Sequence, residues 1–180
     1  DSISDTQATV VGEIIFDEYH FGHAIGKSAK EPHIVQQFNH KECYSGGSAA
    51  IARHLSDFIK KINLVSFFGN ESEYKKVLMK DFNKNIKLLS FKPSKDFHSI
   101  VKKRFLDIKS SYKLFGSYTL PKSEMKENDR NIINIIKKLK SKLLIVSDYG
   151  HGLISEKVSK IINNSNFFVA LNVQLNSSTI

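Results

Sequence analysis

The sequence predicts an α/β fold, in which helices cover a mostly parallel sheet and a small second β-sheet is attached. Short apolar segments rich in β-branched residues alternate with segments whose apolar residues repeat at helical spacing, and this alternation is typical of parallel strands joined by helices. Between residues 98 and 118 two strand-like segments follow each other with no helix between them. This interruption predicts a hairpin inserted into the α/β order.

Length and cysteine content set the first limits. A chain of 180 residues is long enough for one domain with a substantial core. The one cysteine, Cys43, has no second cysteine to pair with, and no apolar run reaches the roughly 18 residues of a membrane span. We therefore expect a cytoplasmic protein that does not associate with membranes. The chain starts at Asp1 rather than Met, so we also expect it to be a piece of a longer protein.

The net charge of +9 permits nucleic-acid binding but does not favour it. Of the 27 basic residues only three are arginine, the side chain that best makes two-pronged contacts with phosphates and bases. A lysine-rich surface of compositional origin is the preferred interpretation, and nucleic acid is not the expected partner.

The first predicted strand covers residues 9–16, a nearly continuous apolar run that is typical of a strand buried on both faces. It ends at Asp17. Ligands of open α/β sheets bind beyond the carboxyl ends of strands, so Asp17 is a candidate for holding a substrate hydroxyl. The pattern leaves open the alternative that Asp17 only caps a turn.

A loop over residues 23–32 and a half-exposed strand over residues 33–44 lead to the paired Gly46 and Gly47. Glycines allow close approach to the backbone, and the start of the next helix offers unpaired N–H groups, so this turn is the predicted floor of a small-molecule site. A turn that serves packing alone is the alternative. The helix is predicted to extend from Ser48 to about Lys61, with an apolar stripe formed by Ile51, Leu55, Phe58 and Ile62.

The remaining segments continue the alternation. One helix is predicted to start at Asn70, which with Glu73 three residues later resembles a capping box. A second is predicted after Pro121, and a third is predicted to begin at Ser155 as its cap. Further strands are predicted over residues 63–68, 86–91, 143–146 and 167–171.

The inserted hairpin, over residues 98–107 and 111–118, is basic and aromatic and includes Lys102 and Arg104. With the strand over residues 33–44 it is predicted to form a small sheet above the glycine turn, where it would act as a lid that excludes water. A solvated basic edge that protects the hairpin from aggregation is the alternative.

Four stretches in this order resemble the ribokinase-type (PfkB) carbohydrate kinases: VVGE…DEY, GGSAA, VKKR and SDYGHG, at residues 10–19, 46–50, 101–104 and 147–152. The resemblance is closest to the heptose-7-phosphate kinase domain of the bifunctional enzymes of ADP-heptose synthesis, in which a PfkB-like domain is fused to a nucleotidyltransferase. It covers nearly all of the chain as the N-terminal portion of such a domain. It implies a ribokinase-like sandwich with lid strands in about 17–44 and 98–118, truncated before the ATP-binding C-terminal part.

The resemblance also implies roles for individual residues. Asp17 would hold sugar hydroxyls, and Gly46 and Gly47 would let the sugar lie against the backbone. Lys102 and Arg104 would face a phosphate on the substrate.

For the phosphoryl-transfer region, the resemblance implies that Asp148, with His151 and Asn172 nearby, acts through Mg²⁺ and water rather than by direct metal ligation. ATP and Mg²⁺ are the cofactors expected of the complete domain. The catalytic base is expected beyond Ile180, so the fragment alone is expected to be inactive.

The chain departs from the family pattern at three places. Ala50 stands where the pattern has a sugar-binding Asn, His151 where many relatives have Lys, and Asn172-Val173-Gln174 where the heptose kinases usually have Asp-Pro-Lys.

Two functions are preferred on this basis, and a nucleic-acid-binding protein, which only the net charge favours, is the third and least favoured. The first is the substrate-and-lid half of a sugar or sugar-phosphate kinase of nucleotide-sugar biosynthesis, with a possible homodimer through the lid strands. The second is a non-catalytic sugar-phosphate-binding or assembly module of a nucleotidyltransferase fusion.

Overall fold

The computed structural model describes residues 6–90, 97–121 and 128–174. Its helices are α1 (Ser48–Leu55), α2 (Ser72–Asp81), α3 (Asp129–Lys137) and α4 (Glu156–Asn163). Its strands are β1 (Gln7–Gly12), β2 (Ile14–Lys27), β3 (Ile34–Gly47), β4 (Lys61–Val65), β5 (Ile86–Leu89), β6 (Ile100–Asp107), β7 (Lys113–Thr119), β8 (Leu143–Asp148) and β9 (Phe168–Val173). Phe91, at the end of a predicted strand, lies outside the described residues.

The main sheet has five parallel strands in the order β5-β4-β1-β8-β9. Neighbouring residues of its central strand β1 point to opposite faces. Val10 packs in one core cluster with residues of α1 and α2, and Val11 packs in the other with residues of α3 and α4. The α/β prediction is confirmed, since helices cover both faces of a parallel sheet. None of the helices in the described ranges is long and apolar enough to span a membrane.

The predicted first strand is in fact two strands, and this corrects the position of Asp17. β1 ends at Gly12 and β2 begins at Ile14, so Asp17 lies inside β2 and not at the carboxyl end of a main-sheet strand. Glu13 occupies the break. Its carboxylate accepts hydrogen bonds from the backbone N–H groups of Tyr149 (2.9 Å) and Leu153 (3.2 Å), which lets a polar residue be buried there. The apolar pattern runs through the break because the residues on both sides of it are buried.

The second sheet, which we call the lid sheet, has four strands in the order β3-β2-β6-β7. The pairs β2–β3 and β6–β7 are antiparallel, whereas β2 and β6 are parallel. The predicted hairpin and its association with the strand over residues 33–44 are therefore confirmed. The predicted loop over 23–32 is shorter than expected because β2 continues to Lys27.

Two helix predictions were wrong in detail. Helix α1 ends at Leu55, because the chain then turns through a Phe58 N–H to Leu55 carbonyl bond of 3.0 Å to reach β4. Phe58 is consequently 66% exposed rather than part of an apolar stripe.

Helix α2 starts at Ser72, with Glu71 before it, and no side chain caps it. The expected capping box of Asn70 and Glu73 is therefore absent. Glu71 instead accepts hydrogen bonds from Ser99, whose N–H and hydroxyl both donate to it. The predicted cap of α4 is confirmed, since Ser155 Oγ accepts the Val158 N–H at 3.2 Å.

Candidate active site

A cleft of about 450 Å³ lies between one face of the lid sheet and helix α1. Strands β2 and β3 supply most of its wall, and α1 supplies the rest. Its lining residues are Asp17, Tyr19, Phe21, Glu42, Tyr44, Ser45, Gly46, Ala50 and Arg53.

The pleat of the lid sheet decides which predicted residues face this cleft. Alternate residues of a strand point to opposite faces, so Asp17 and Tyr19 face the cleft whereas Glu18 points away. In β6, Lys102 pairs with Asp17 and Arg104 pairs with Tyr19, which places both basic residues on the cleft face. Lys103, between them, lies 4.0 Å from Glu18 on the opposite face.

Asp17 and Arg104 form an ion pair on the cleft face, with Oδ1 and Nη1 2.5 Å apart. The guanidinium carbon of Arg104 also lies 5.3 Å from the centroid of the Tyr19 ring. Burial works against the charge of Arg104, but the hydrogen bond and the negative charge of Asp17 more than offset it and raise the pKa of the guanidinium. The positive charge of Arg104 is thus directed at Asp17.

Gly46 and Gly47 are each required for a different structural reason. A Cβ at Gly46 would lie 2.5 Å from Asp17 Oδ2, so the bare backbone at this position makes room for the carboxylate. Gly47 has φ 62°, a left-handed conformation that side chains disfavour, and a Cβ there would lie 2.4 Å from the Glu13 carbonyl oxygen. The Ser48 N–H donates to the same carbonyl at 2.9 Å and begins α1. The strand, glycine turn and helix are therefore arranged as predicted.

Arg53 and Asp81 also belong to the site, although neither was predicted as a site residue. Arg53 lines the cleft, and its Nη1 lies 3.7 Å from Asp81 Oδ2 at the end of α2. Asp81 is held in turn by Ser45, whose N–H (3.1 Å) and hydroxyl (2.6 Å) both donate to it. Arg53 follows Ala50 by three positions on α1, which is the spacing of neighbours on one helix face and could have suggested it. No sequence signal brings Asp81 to this place.

The loop that follows β8 is close enough to Lys102 of the lid sheet for its His151 to interact with that lysine electrostatically. Asp148, the last residue of β8, accepts the Gly150 N–H at 2.8 Å, in a turn where Gly150 has φ 72°. Burial lowers the pKa of His151, the charge of Lys102 lowers it further, and the charge of Asp148 opposes both. Lys102 of the lid sheet thus interacts electrostatically with His151, in the loop that follows β8 of the main sheet. Among the described residues, His151 Nε2 is buried with no hydrogen-bond partner.

Asn172 is not brought together with Asp148. The sequence predicted Asn172 just after the last strand. Strand β9 instead continues to Val173, so Asn172 lies within it. It pairs with Ser147, whereas Asp148 pairs with Val173. Because neighbouring residues of a strand point to opposite faces, the side chains of Asn172 and Asp148 lie on opposite sides of the main sheet.

The described residues contain no group of three or more His, Cys, Asp or Glu side chains that could hold a metal ion together. Asp148 is a carboxylate at the carboxyl end of a main-sheet strand, with one oxygen bonded to Gly150. Mg²⁺ usually keeps several waters beside one or two carboxylates and substrate phosphates, so the Asp148 carboxylate is compatible with such an ion through one of those waters.

Comparison with solved structures shows that the fold is that of ribokinase-type carbohydrate kinases. Phosphofructokinase-2 from Escherichia coli, in complex with fructose-6-phosphate, superposes with a TM-score of 0.69 at 13% identity, over 94% of this chain and 54% of that one. Ribokinase from Thermotoga maritima gives a TM-score of 0.64 at 13% identity, over 92% and 52%. Arabidopsis thaliana ribokinase, complexed with ribose and ATP, gives 0.59 at 12% identity, over 94% and 54%.

The chain spans about half the length of these carbohydrate kinases. No protein-family model and no curated protein sequence matches it. The fold class predicted from the sequence is confirmed: an α/β domain with a mostly parallel sheet and a small mixed sheet.

Proposed function

We propose that this ribokinase-like domain binds a sugar or a sugar phosphate in the cleft beneath the lid sheet, and that it is the substrate-and-lid half of a kinase that transfers the γ-phosphoryl group of ATP to a sugar hydroxyl. The observation that carries the proposal is the placement of the Asp17 carboxylate directly over the bare backbone of Gly46, in a cleft of about 450 Å³. Small-molecule sites have volumes of roughly 300–1,000 Å³, and this cleft falls within that range.

The chemistry of the cleft suits a sugar. A carboxylate accepts hydrogen bonds from the hydroxyl groups of a ring, and the rings of Tyr19, Phe21 and Tyr44 offer apolar faces to its C–H groups. The cleft lies at the boundary between the lid sheet and α1, so residues of both elements can contact a ligand. Neighbours with this fold hold fructose-6-phosphate in one case and ribose with ATP in another, which supports the same substrate class here.

ATP and Mg²⁺ belong to the proposal as cofactors. Asp148 would border a magnesium ion, which neutralises charge on the transferred phosphoryl group when it is bound. His151 and Lys102 would lie close to that region, where burial and the charge of Lys102 hold the pKa of His151 below its usual value. We propose that the catalytic base and most of the ATP pocket belong to the part of the fold that this chain does not span.

The proposal is tested by titrating the chain with pentoses, hexoses and their monophosphates in a calorimeter, and by assaying ATP turnover in parallel. We expect binding of at least one such ligand with no turnover by the chain itself, and turnover once the complete reading frame is expressed. Asp17→Asn is expected to weaken the binding at least tenfold, since a charge-assisted hydrogen bond contributes about 1.5–3 kcal/mol. A complete protein that binds neither ATP nor any sugar ligand would refute the proposal.

A non-catalytic sugar-phosphate-binding module remains the second candidate. It is favoured by Ala50, which lines the cleft with a methyl group that cannot hydrogen-bond to a sugar hydroxyl. This alternative predicts that sugar-phosphate binding persists in the complete protein without any turnover of ATP. The proposal has three further parts: a role in nucleotide-sugar biosynthesis, a fused nucleotidyltransferase and a homodimer through the lid strands. The reading frame of the complete protein would test the fusion, and the size of the protein in solution would test the homodimer.

A further inference from the structure

We infer that Arg53 recognises an anionic substituent of the substrate, a phosphate or a carboxylate on the sugar, and so determines the specificity of the cleft. This inference rests on the proposed function, because it assigns a ligand class to the same cleft. It differs from the prediction made from the sequence, in which the hairpin residues Lys102 and Arg104 face the phosphate.

Arg104 is poorly placed to meet an anion because it is already paired. Its guanidinium contacts the Asp17 carboxylate at 2.5 Å and lies against the Tyr19 ring, and its side chain is 20% exposed. An incoming anion would have to compete with Asp17 for that guanidinium and would be repelled by the Asp17 carboxylate itself.

Arg53 is placed differently. It lines the cleft and is 35% exposed, and among the described residues its one ionic partner is Asp81 at 3.7 Å, beyond hydrogen-bonding distance. A guanidinium has five N–H donors arranged as a planar fork, which matches the oxygens of a phosphate or carboxylate. The donors of Arg53 are thus available in the cleft, while Asp81 keeps the side chain oriented.

The neighbourhood leaves space for such a substituent. Ala50, three positions before Arg53 on α1, also lines the cleft and contributes only a methyl group. The Ser45 hydroxyl, which could otherwise compete for the ligand, donates to Asp81 at 2.6 Å. The space beside Arg53 is therefore lined by a small apolar side chain and by polar groups that are already satisfied.

The charges of the cleft also fix the orientation of the ligand. Besides Arg53, the cleft is lined by two carboxylates, those of Asp17 and Glu42. Glu42 accepts a hydrogen bond from the Tyr44 hydroxyl at 2.7 Å. Both carboxylates lie on lid strands, whereas Arg53 lies on α1. Sugar hydroxyls would be bound by the lid carboxylates and the anionic group by the helix.

The test compares affinities of matched ligand pairs by isothermal titration calorimetry: fructose 6-phosphate against fructose, and ribose 5-phosphate against ribose, with gluconate as the carboxylate probe. In the wild-type chain we expect at least one anionic ligand to bind more tightly than its neutral partner. Arg53→Met is expected to reduce the affinity for that ligand about tenfold or more and to change the affinity for the neutral sugar less than twofold. Arg53→Lys should retain part of the preference, because it keeps the charge and loses the fork.

Arg130→Met is the matched control, since Arg130 is an exposed arginine of α3 remote from the cleft lining. It should change neither affinity, and circular dichroism should show that all variants are folded. An Arg53→Met variant that keeps the full preference for the anionic ligand, or that loses neutral and anionic ligands equally, would overturn the inference and leave the proposed function intact. A wild-type chain that binds only neutral sugars would overturn it too. Binding of no ligand from either class, by the chain and by the complete protein, would overturn the proposed function and the inference together.

Discussion

Arg104 of β6 holds the Asp17 carboxylate of β2 by an ion pair across two parallel strands, with Nη1 and Oδ1 2.5 Å apart. The pair joins the first strand of the lid sheet to the inserted hairpin, at the place where the lid sheet faces the cleft. Both side chains are largely shielded, with exposures of 20% and 24%, so water screens their attraction less than it would on an open surface.

We predict that a double-mutant cycle of Asp17→Asn and Arg104→Met, followed by urea unfolding, gives a coupling free energy on the order of 1–2 kcal/mol. The control is the pair of Glu156 and Lys160 on α4, which is nearly as close at 2.6 Å but 82% and 69% exposed. That pair should show a much smaller coupling. Equal couplings for the two pairs would contradict the shielded geometry at Asp17.

Gly46→Ala should impair the site more than the fold. The new Cβ would lie 2.5 Å from Asp17 Oδ2, so the carboxylate must move away from the position that it needs for a sugar. We expect sugar binding to weaken at least tenfold, measured by calorimetry, with a loss of unfolding free energy below about 2 kcal/mol.

The matched control is Gly116→Ala in β7, where an added Cβ would meet its nearest neighbours at 3.4 Å, an ordinary contact. This variant should bind as the wild type does.

Gly47→Ala should impair the fold more than the site, because φ at Gly47 is 62° and the new Cβ would collide with the Glu13 carbonyl. Its main effect should be a loss of stability, of the order of 1–3 kcal/mol.

The pKa of His151 should report the contact between the lid sheet and the loop after β8. Burial and the charge of Lys102 hold this pKa below its usual value. Lys102→Met is therefore expected to raise the pKa, and Asp148→Asn to lower it further, in an NMR titration of the imidazole protons. Lys103→Met is the matched control, since Lys103 lies on the opposite face beside Glu18. A His151 pKa that is unchanged in Lys102→Met, or that changes equally in Lys103→Met, would contradict the geometry.

Glu18 should make the protein less stable in acid. Burial disfavours its charge, but hydrogen bonds from His20 and Tyr74, together with the charges of Lys41 and Lys103, more than offset that effect and lower its pKa from 4.5. A carboxylate whose pKa is lower in the folded state stabilises the fold above pH 4.5 and loses that contribution as the pH falls through its folded pKa. Glu18→Gln should cost about 1–3 kcal/mol at pH 7. The difference in unfolding free energy between wild type and variant should shrink as the pH falls below 4.5.

Glu13 should show the opposite dependence on pH. Burial is the largest influence on this residue and raises its pKa above 4.5, although the N–H groups of Tyr149 and Leu153 partly oppose it. The folded state then holds the proton longer than the unfolded state, so ionisation of Glu13 lowers stability as the pH rises from 4.5 through the folded pKa. With Glu13→Gln as the reference, the unfolding free energy of the wild type relative to the variant should fall over that window and stay constant above it. A relative stability that rises over the same window would show that hydrogen bonding outweighs burial at this site.

The break at Glu13 illustrates what could not be predicted from sequence patterns. Residues on both sides of it are buried, so one apolar run hides two strands that belong to different sheets. Asp17 was predicted as a site residue and does line the cleft, but from β2 rather than from the end of a central strand. Similarly, the predicted helix over residues 48–61 was too long because its stop at Leu55 depends on a turn back into β4.

By itself, the amino-acid sequence determined the alternation of strands and helices, the inserted hairpin, the glycine turn and the acidic and basic residue types of the lid. These are local features, encoded by apolar spacing and by glycine's conformational freedom. Only the tertiary structure decided which charges meet. The pairing of β2 with β6 directs Arg104 to Asp17, and the packing of α2 beside β3 brings Asp81 to Arg53 and leaves that guanidinium open to the cleft. Such contacts join residues far apart in the chain, and their partners depend on register and packing, which no local pattern records.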